Sequence, residues 1–238
     1  MSISAVVQDR RQPSEPSLPI APESGMLRSS ETGLLPGFYE VNERCIEMLV
    51  NAARHDIRRK FALVAELREL LLRLDPRMRQ RAAAHPFLLV DLEFSNIDWW
   101  RAAGTYGTQS LRLPLWRGAF PRASAVQLAV STLMLAWNSL RTDPSSARVL
   151  LGMTLPVSEI IADFRFEDID RIARKRFAYA RPRWEDRPRT WRRLLAAAQT
   201  HDPKAMGAFR LHAVQLLAGD LLSTRAQEDT SARPSPSP

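Results

Sequence analysis

Cysteine is nearly absent: of 238 residues only Cys45 carries a thiol. This excludes an internal disulfide and a multi-cysteine zinc site, so packing alone must hold the fold. Cys45 falls in Glu43-Arg44-Cys45-Ile46-Glu47-Met48-Leu49-Val50, which reads as a helix with the thiol as a small apolar group inside it. Histidine is scarce too, and His55, His85, His201 and His212 form no pair at metal-ligand spacing. A serine or cysteine nucleophile motif, a phosphate-cradling glycine loop and a metalloprotease signature are all missing. Asp168 and Asp170 are two apart, so on a helix their carboxylates diverge. No catalytic residue, no metal site and no cofactor are therefore expected, and the chain does not read as an enzyme. Long apolar runs are lacking as well. Leu128 to Trp137 and Ala205 to Leu222 are broken by polar residues and fall short of the roughly 20 apolar residues of a membrane span. Met1 to Arg11 has no apolar stretch of the kind a secretion signal needs. The expectation is a cytoplasmic protein with no membrane partner.

Lysine supplies only three of the 34 basic residues (Lys60, Lys175 and Lys204), and the rest are arginine. The formal charge is +8 and the pI about 10.6, a balance that draws a chain toward polyanions. Arginine's planar fork suits phosphate and guanine contacts, although a GC-rich genome also favours arginine.

Along the chain, residues 1–36 scatter Pro13, Pro16, Pro19, Pro22 and Pro36 among Ser and Glu and read as a disordered leader. Residues 223–238, ending Arg-Pro-Ser-Pro-Ser-Pro, read as a disordered tail. Between them apolar residues recur at three- and four-residue steps, as in Ile46, Leu49, Val50, Ala53 and again in Leu63, Leu67, Leu70, Leu71, Leu74. These are two amphipathic helices, the second stopping near Asp75-Pro76 because the residue before proline avoids the helical region. Pro86 to Leu92 reads as extended, and Asp98-Trp99-Trp100 as the start of another helix. Residues 37–103 thus form a helical N-terminal module. Gly104, Gly107, Pro114, Gly118 and Pro121 mark residues 104–124 as a connection. Ser124 then caps a helix to about Arg141, Asp143-Pro144 opens the next in the preferred order of cap then proline, and Gly152 ends it in a positive-φ turn. The fold class is mostly α, with a second helical domain over residues 125–222.

That second domain carries an ordered set of short motifs. Ser131-Thr132-Leu133-Met134-Leu135-Ala136 is followed by Asp143, then Ala147-Arg148-Val149-Leu150-Leu151-Gly152-Met153, then the aliphatic stretch Val157 to Ala162, then Ile169-Asp170-Arg171-Ile172-Ala173, and finally Arg181-Pro182-Arg183-Trp184-Glu185. The succession resembles the FlhD family of flagellar transcriptional activators without a gap over some 55 residues, and Leu211 to Leu217 is similar to its later Ile-His helix. Pro182 stands where the family's first closing aromatic would be. The resemblance implies an FlhD-like helical domain and a homodimer within a hetero-oligomer. The other subunit would be an FlhC-like, zinc-bearing partner, and the assembly would bind promoter DNA and act on RNA polymerase. The regulon it implies is flagellar, or another such as mobile-element transfer or secretion. The dimer's cysteine position falls on Ala180. Residues 1–120 have no counterpart in the short flagellar subunit.

Arg165 to Arg193 is the densest positive stretch of the C-terminal half. Its candidate DNA-binding residues are Arg165, Arg171, Arg174, Lys175, Arg176, Arg181 and Arg183. On a helix from Glu167, Arg171, Arg174 and Lys175 share a face opposite Ile169, Ile172 and Ala173. The helix, Gly turn and helix around Gly152 would permit a helix-turn-helix reader, though its spacing fits only loosely. Trp184 and Trp191 either stack on bases among the surrounding arginines or anchor a helix to the core. The basic segment Arg54 to Arg81 reads as the polar face of two packed helices. A second functional reading, a helical protein-interaction adaptor without direct DNA binding, rests on Trp99, Trp100 and Trp116 in the unmatched N-terminal region.

Overall fold

The computed structural model describes residues 26–55, 61–105 and 120–231. Their order is α1 (Met26–Arg54), α2 (Ala62–Leu72), α3 (Pro76–Ala83), β1 (Val90–Asp91), α4 (Ile97–Thr105), α5 (Arg122–Thr142), α6 (Pro144–Leu151), α7 (Leu155–Ala162), α8 (Phe166–Arg176), a 3-10 turn (Phe177–Tyr179), β2 (Arg181–Pro182), α9 (Pro188–Thr200) and α10 (Pro203–Ser231). The protein is mostly α, as the apolar periodicity predicts. Of the extended stretch Pro86 to Leu92 only Val90 and Asp91 pair as a strand, antiparallel to β2 in the register Val90 with Pro182 and Asp91 with Arg181.

Local signals account for many of the boundaries. Asp143 Oδ1 accepts from the Ser146 amide at 3.1 Å and Pro144 occupies the first turn of α6, so cap and proline act together. The same pair recurs at Asp75-Pro76, where Asp75 Oδ1 takes the Met78 amide at 2.7 Å and opens α3. The sequence reading used Asp75-Pro76 only as a stop and so missed α3. Gly152 ends α6 at φ +62°, the left-handed turn anticipated for it. At the other end of the chain, α1 begins at Met26, inside the stretch read as leader, and runs through Pro36. A proline inside a helix removes one backbone donor, which is why periodicity and composition placed a break there.

One hydrophobic core spans the connection between the two halves. It includes Ile46, Leu49, Leu67, Phe87, Leu89 and Trp100 from the N-terminal side and Leu128, Leu133, Leu151, Ile169, Trp191 and Leu195 from the C-terminal side, all buried. Cys45 is part of this core, where burial pushes its thiol pKa up. Helix α5 is the central element, packing on α1, α6, α7 and α8, while α9 packs on α2, α3 and α10. By length and composition α5 alone among the described residues is long and apolar enough to cross a membrane, and here it is a core helix.

The extended stretch after α3 is stitched to both halves. Asn42, fully buried on α1, donates from Nδ2 to the carbonyls of Ala83 (3.2 Å) and Phe87 (2.8 Å) and accepts the Leu89 amide on Oδ1 at 2.7 Å. Backbone bonds then cross to the C-terminal side: Leu88 N–H to Leu150 O, Arg183 N–H to Leu89 O and Thr154 N–H to Phe94 O, at 2.8 to 3.2 Å. Polar backbone groups in such a buried stretch need partners, and here they come from Asn42 of α1 and from the other half of the chain.

Candidate nucleic-acid interface

Helix α8 is amphipathic: Ile169, Ile172 and Ala173 enter the core while Arg171, Arg174 and Lys175 stay at the surface. Its start is closed by Asp168, whose carboxylate accepts the Arg165 amide at 3.1 Å and pairs with Arg171. The Arg171 hydrogen bond, with the Arg165 amide, holds the Asp168 carboxyl below the usual carboxylate range. Arg174 Nε donates to Asp170 Oδ2 at 2.7 Å, and Arg165 lies 3.9 Å from Glu167. Among the described residues Lys175 is the cation on this face without a carboxylate partner. Such exposed pairs are weak and exchangeable, so they lower the local field without blocking a phosphate.

The other three candidates sit elsewhere. Arg176 is buried at the end of α8 with its guanidinium 4.6 Å over the Trp99 ring. Arg181 bridges Asp91 (3.1 Å), Glu93 (3.0 Å) and Glu185 (4.0 Å) beside the short sheet. Arg183, 7% exposed, donates from Nη2 to Leu151 O at 2.5 Å and to Val90 O at 3.4 Å. Burial disfavours its charge and lowers its pKa. The structure therefore leaves Arg171, Arg174 and Lys175 exposed on one face of α8 with Arg165 exposed at its start, and turns Arg176 and Arg183 inward, where a guanidinium serves packing and carbonyl satisfaction.

The two tryptophans left open by the sequence are anchors. Trp191, buried, donates to Arg183 O at 2.7 Å, and Trp184 donates to Asp220 Oδ2 at 3.1 Å. Trp184 holds φ +54°, a strained conformation for a bulky residue that its burial and the Asp220 bond sustain. Asp220 also takes Arg187 Nη2 at 3.0 Å, which ties α10 to the loop after β2. Trp100 is fully buried against Phe94 and Phe164, and Trp99 packs edge-on to Tyr179. Trp116 lies outside the described residues.

His85 is a buried group that no sequence motif marked. It stacks on Phe87, touches Phe209, and faces Arg210 Nε at 3.4 Å through Nδ1, with Nε2 buried and unpartnered. Burial, with the Arg210 charge, pushes its pKa down from 6.5 to about 3. Between those values the unfolded chain binds a proton that the native chain refuses, so stability falls as pH is lowered through that window, by up to about 1.4 kcal/mol per pH unit. Above it His85 adds no slope. Denaturation midpoints across this range should show the loss, and it should shrink in His85→Gln; NMR should find the native imidazole neutral wherever the protein is folded.

No curated protein and no solved structure matches the chain. Among the described residues there is no group of three or more His, Cys, Asp or Glu able to hold a metal ion. A family model does match: residues 123–225, from the start of α5 to the second half of α10, match the Flagellar transcriptional activator (FlhD) family. The C-terminal part of the chain is thus similar to the FlhD family of flagellar transcriptional activators.

Proposed function

We propose that the protein is a cytoplasmic, DNA-associated subunit of a transcriptional activator, working with a zinc-bearing FlhC-like partner on promoters and through RNA polymerase. The observation that carries this reading is the FlhD-family match over residues 123–225. The exposed cations Arg165, Arg171, Arg174 and Lys175 on and beside α8 supply phosphate contacts; the three arginines, paired to exposed carboxylates, exchange partners when DNA arrives. Assembly is supported by α10, which leaves Leu211, Val214 and Leu222 exposed at helical spacing, an apolar stripe suited to a subunit contact in a homodimer or hetero-oligomer. The regulon is flagellar or one such as mobile-element transfer or secretion.

Co-expression with an FlhC-like subunit tests this. The two chains should purify together and retard promoter DNA in a salt-sensitive manner, with reporter activation needing both. No DNA retardation by the purified pair at low salt would overturn the reading. The adaptor alternative rests on the unmatched N-terminal region with Trp99, Trp100 and Trp116; of these Trp100 is fully buried and Trp99 is half-buried under the Arg176 guanidinium, which leaves Trp100 to the core.

A further inference from the structure

The basic segment Arg54 to Arg81 and the arginines of α9 are far apart in sequence, but the fold makes them neighbours. Arg192 on α9 lies 3.5 Å from Glu66 on α2, and Gln199 Nε2 donates to Leu70 O at 3.2 Å. Arg81 on α3 donates from Nε to Ala198 O at 2.9 Å. Arg210 on α10 closes the far side through Nη2 to Ala84 O at 2.8 Å. Helix α9 is therefore flanked by α2 and α3 on one side and by α10 on the other. Its outward stripe is Arg189, Arg192, Arg193, Ala196 and Thr200, spaced as one helical face.

The charge on this surface is poorly compensated. Helix α9 carries three arginines and no carboxylate. Residues 62–83 carry five arginines (Arg68, Arg73, Arg77, Arg79 and Arg81) against Glu66, Glu69 and Asp75, and Asp75 is committed to capping α3. Among the described residues Arg73, Arg77, Arg189 and Arg193 have no carboxylate partner, in contrast to the paired arginines of α8. Arg68 Nε, Arg79 Nε and Arg81 Nη2 are also buried from water without a hydrogen-bond partner. Arg81 and Arg210 line a cleft of about 270 Å³ together with Ala84, Ala197, Met206 and a single carboxylate, Asp202. Exposed guanidinium groups on a helix about 20 Å long and on the two helices packed against it match a run of backbone phosphates better than they match a protein surface of mixed charge.

We infer that the face formed by α2, α3 and α9, bounded by Arg210 of α10, is a nucleic-acid backbone-binding surface built jointly by the N-terminal region and the FlhD-family segment. It rests on the DNA-association reading and relocates the main phosphate contacts away from α8. Its contacts are to the backbone, so it adds affinity without reading sequence.

Fluorescence anisotropy of the full chain with a labelled mixed-sequence DNA duplex, across a salt series, tests it. Arg77→Glu with Arg193→Glu should weaken binding on the order of tenfold or more and reduce the salt slope by about 2. Arg77→Lys with Arg193→Lys should retain most of the affinity, and thermal melting should show all variants folded. Arg171→Glu with Lys175→Glu on α8 should have the smaller effect. Wild-type binding that survives the α3 and α9 reversal, or that is lost only with the α8 reversal, overturns the inference and leaves the DNA reading standing. Absence of wild-type binding at low salt, with or without the partner subunit, defeats both. Competition by poly-glutamate as effective as that by unlabelled duplex would overturn the assignment to nucleic acid.

Discussion

Gly152→Ala should cost on the order of 3–5 kcal/mol and lower the melting temperature by about 10 °C. Two costs combine at this position. At φ +62° a side chain is strained by about 1–2 kcal/mol. A Cβ would also lie 2.9 Å from Arg183 Cζ and 3.0 Å from Leu217 Cδ2, and closer still to Arg183 Nη1. Arg183 cannot swing aside cheaply, because its guanidinium is buried and committed to Leu151 O and Val90 O. The methyl group therefore breaks the junction between α6, the short sheet and α10 together. Circular-dichroism melts of the wild type and the variant read this directly; equal midpoints would show that the Arg183 junction is not rigid.

The second large effect concerns the FlhD-family segment by itself. A fragment starting at Pro121 should fail to reach the structure that the same residues have in the full chain. Phe87 packs on Trp184 and Phe209 (6.3 and 6.2 Å between centroids), Trp100 on Phe164 (6.1 Å) and Trp99 on Tyr179 (5.2 Å). Exposing the four large residues that these three cover, Trp184, Phe209, Phe164 and Tyr179, costs up to roughly 6–12 kcal/mol, comparable with the roughly 5–15 kcal/mol that stabilises a whole domain. The backbone bonds to Leu89 O and Phe94 O, and the bond that Leu150 O accepts, are lost as well. The fragment should show loss of near-ultraviolet tryptophan ellipticity and poor dispersion of its NMR amides. A cooperative melt equal to that of the intact chain would show that the N-terminal region is dispensable for the fold.

Legibility from sequence followed the range of the forces involved. Helices set by local signals, such as the Asp143-Pro144 start of α6 and its Gly152 end, were readable because cap, proline and glycine act within one turn. The α8 face was readable for the same reason: three- and four-residue spacing alone separates Ile169 and Ile172 from Arg171 and Lys175. The start of α1 was not, because Pro36 argues locally against a helix that nevertheless continues through it. Long-range facts were silent. Nothing near Asn42 announces that its amide holds residues 83–89, more than 40 positions away, and nothing near Arg183 or Arg176 distinguishes a buried guanidinium from an exposed one. The same blindness hid the packing of α9 on α2 and α3, which brings two basic segments more than 100 residues apart together. The Arg54 to Arg81 segment read as the polar side of two helices; what the sequence could not say is that α9 packs against α2 and α3.

The central claim, that this chain acts at promoters as an activator subunit, is tested most directly in cells. Chromatin immunoprecipitation of the epitope-tagged full chain, sequenced together with RNA polymerase from the same culture, should give peaks just upstream of a limited set of transcription starts, and polymerase occupancy there should fall when the chain is deleted. Enrichment no greater than in an untagged strain, with polymerase occupancy unchanged on deletion, would contradict it.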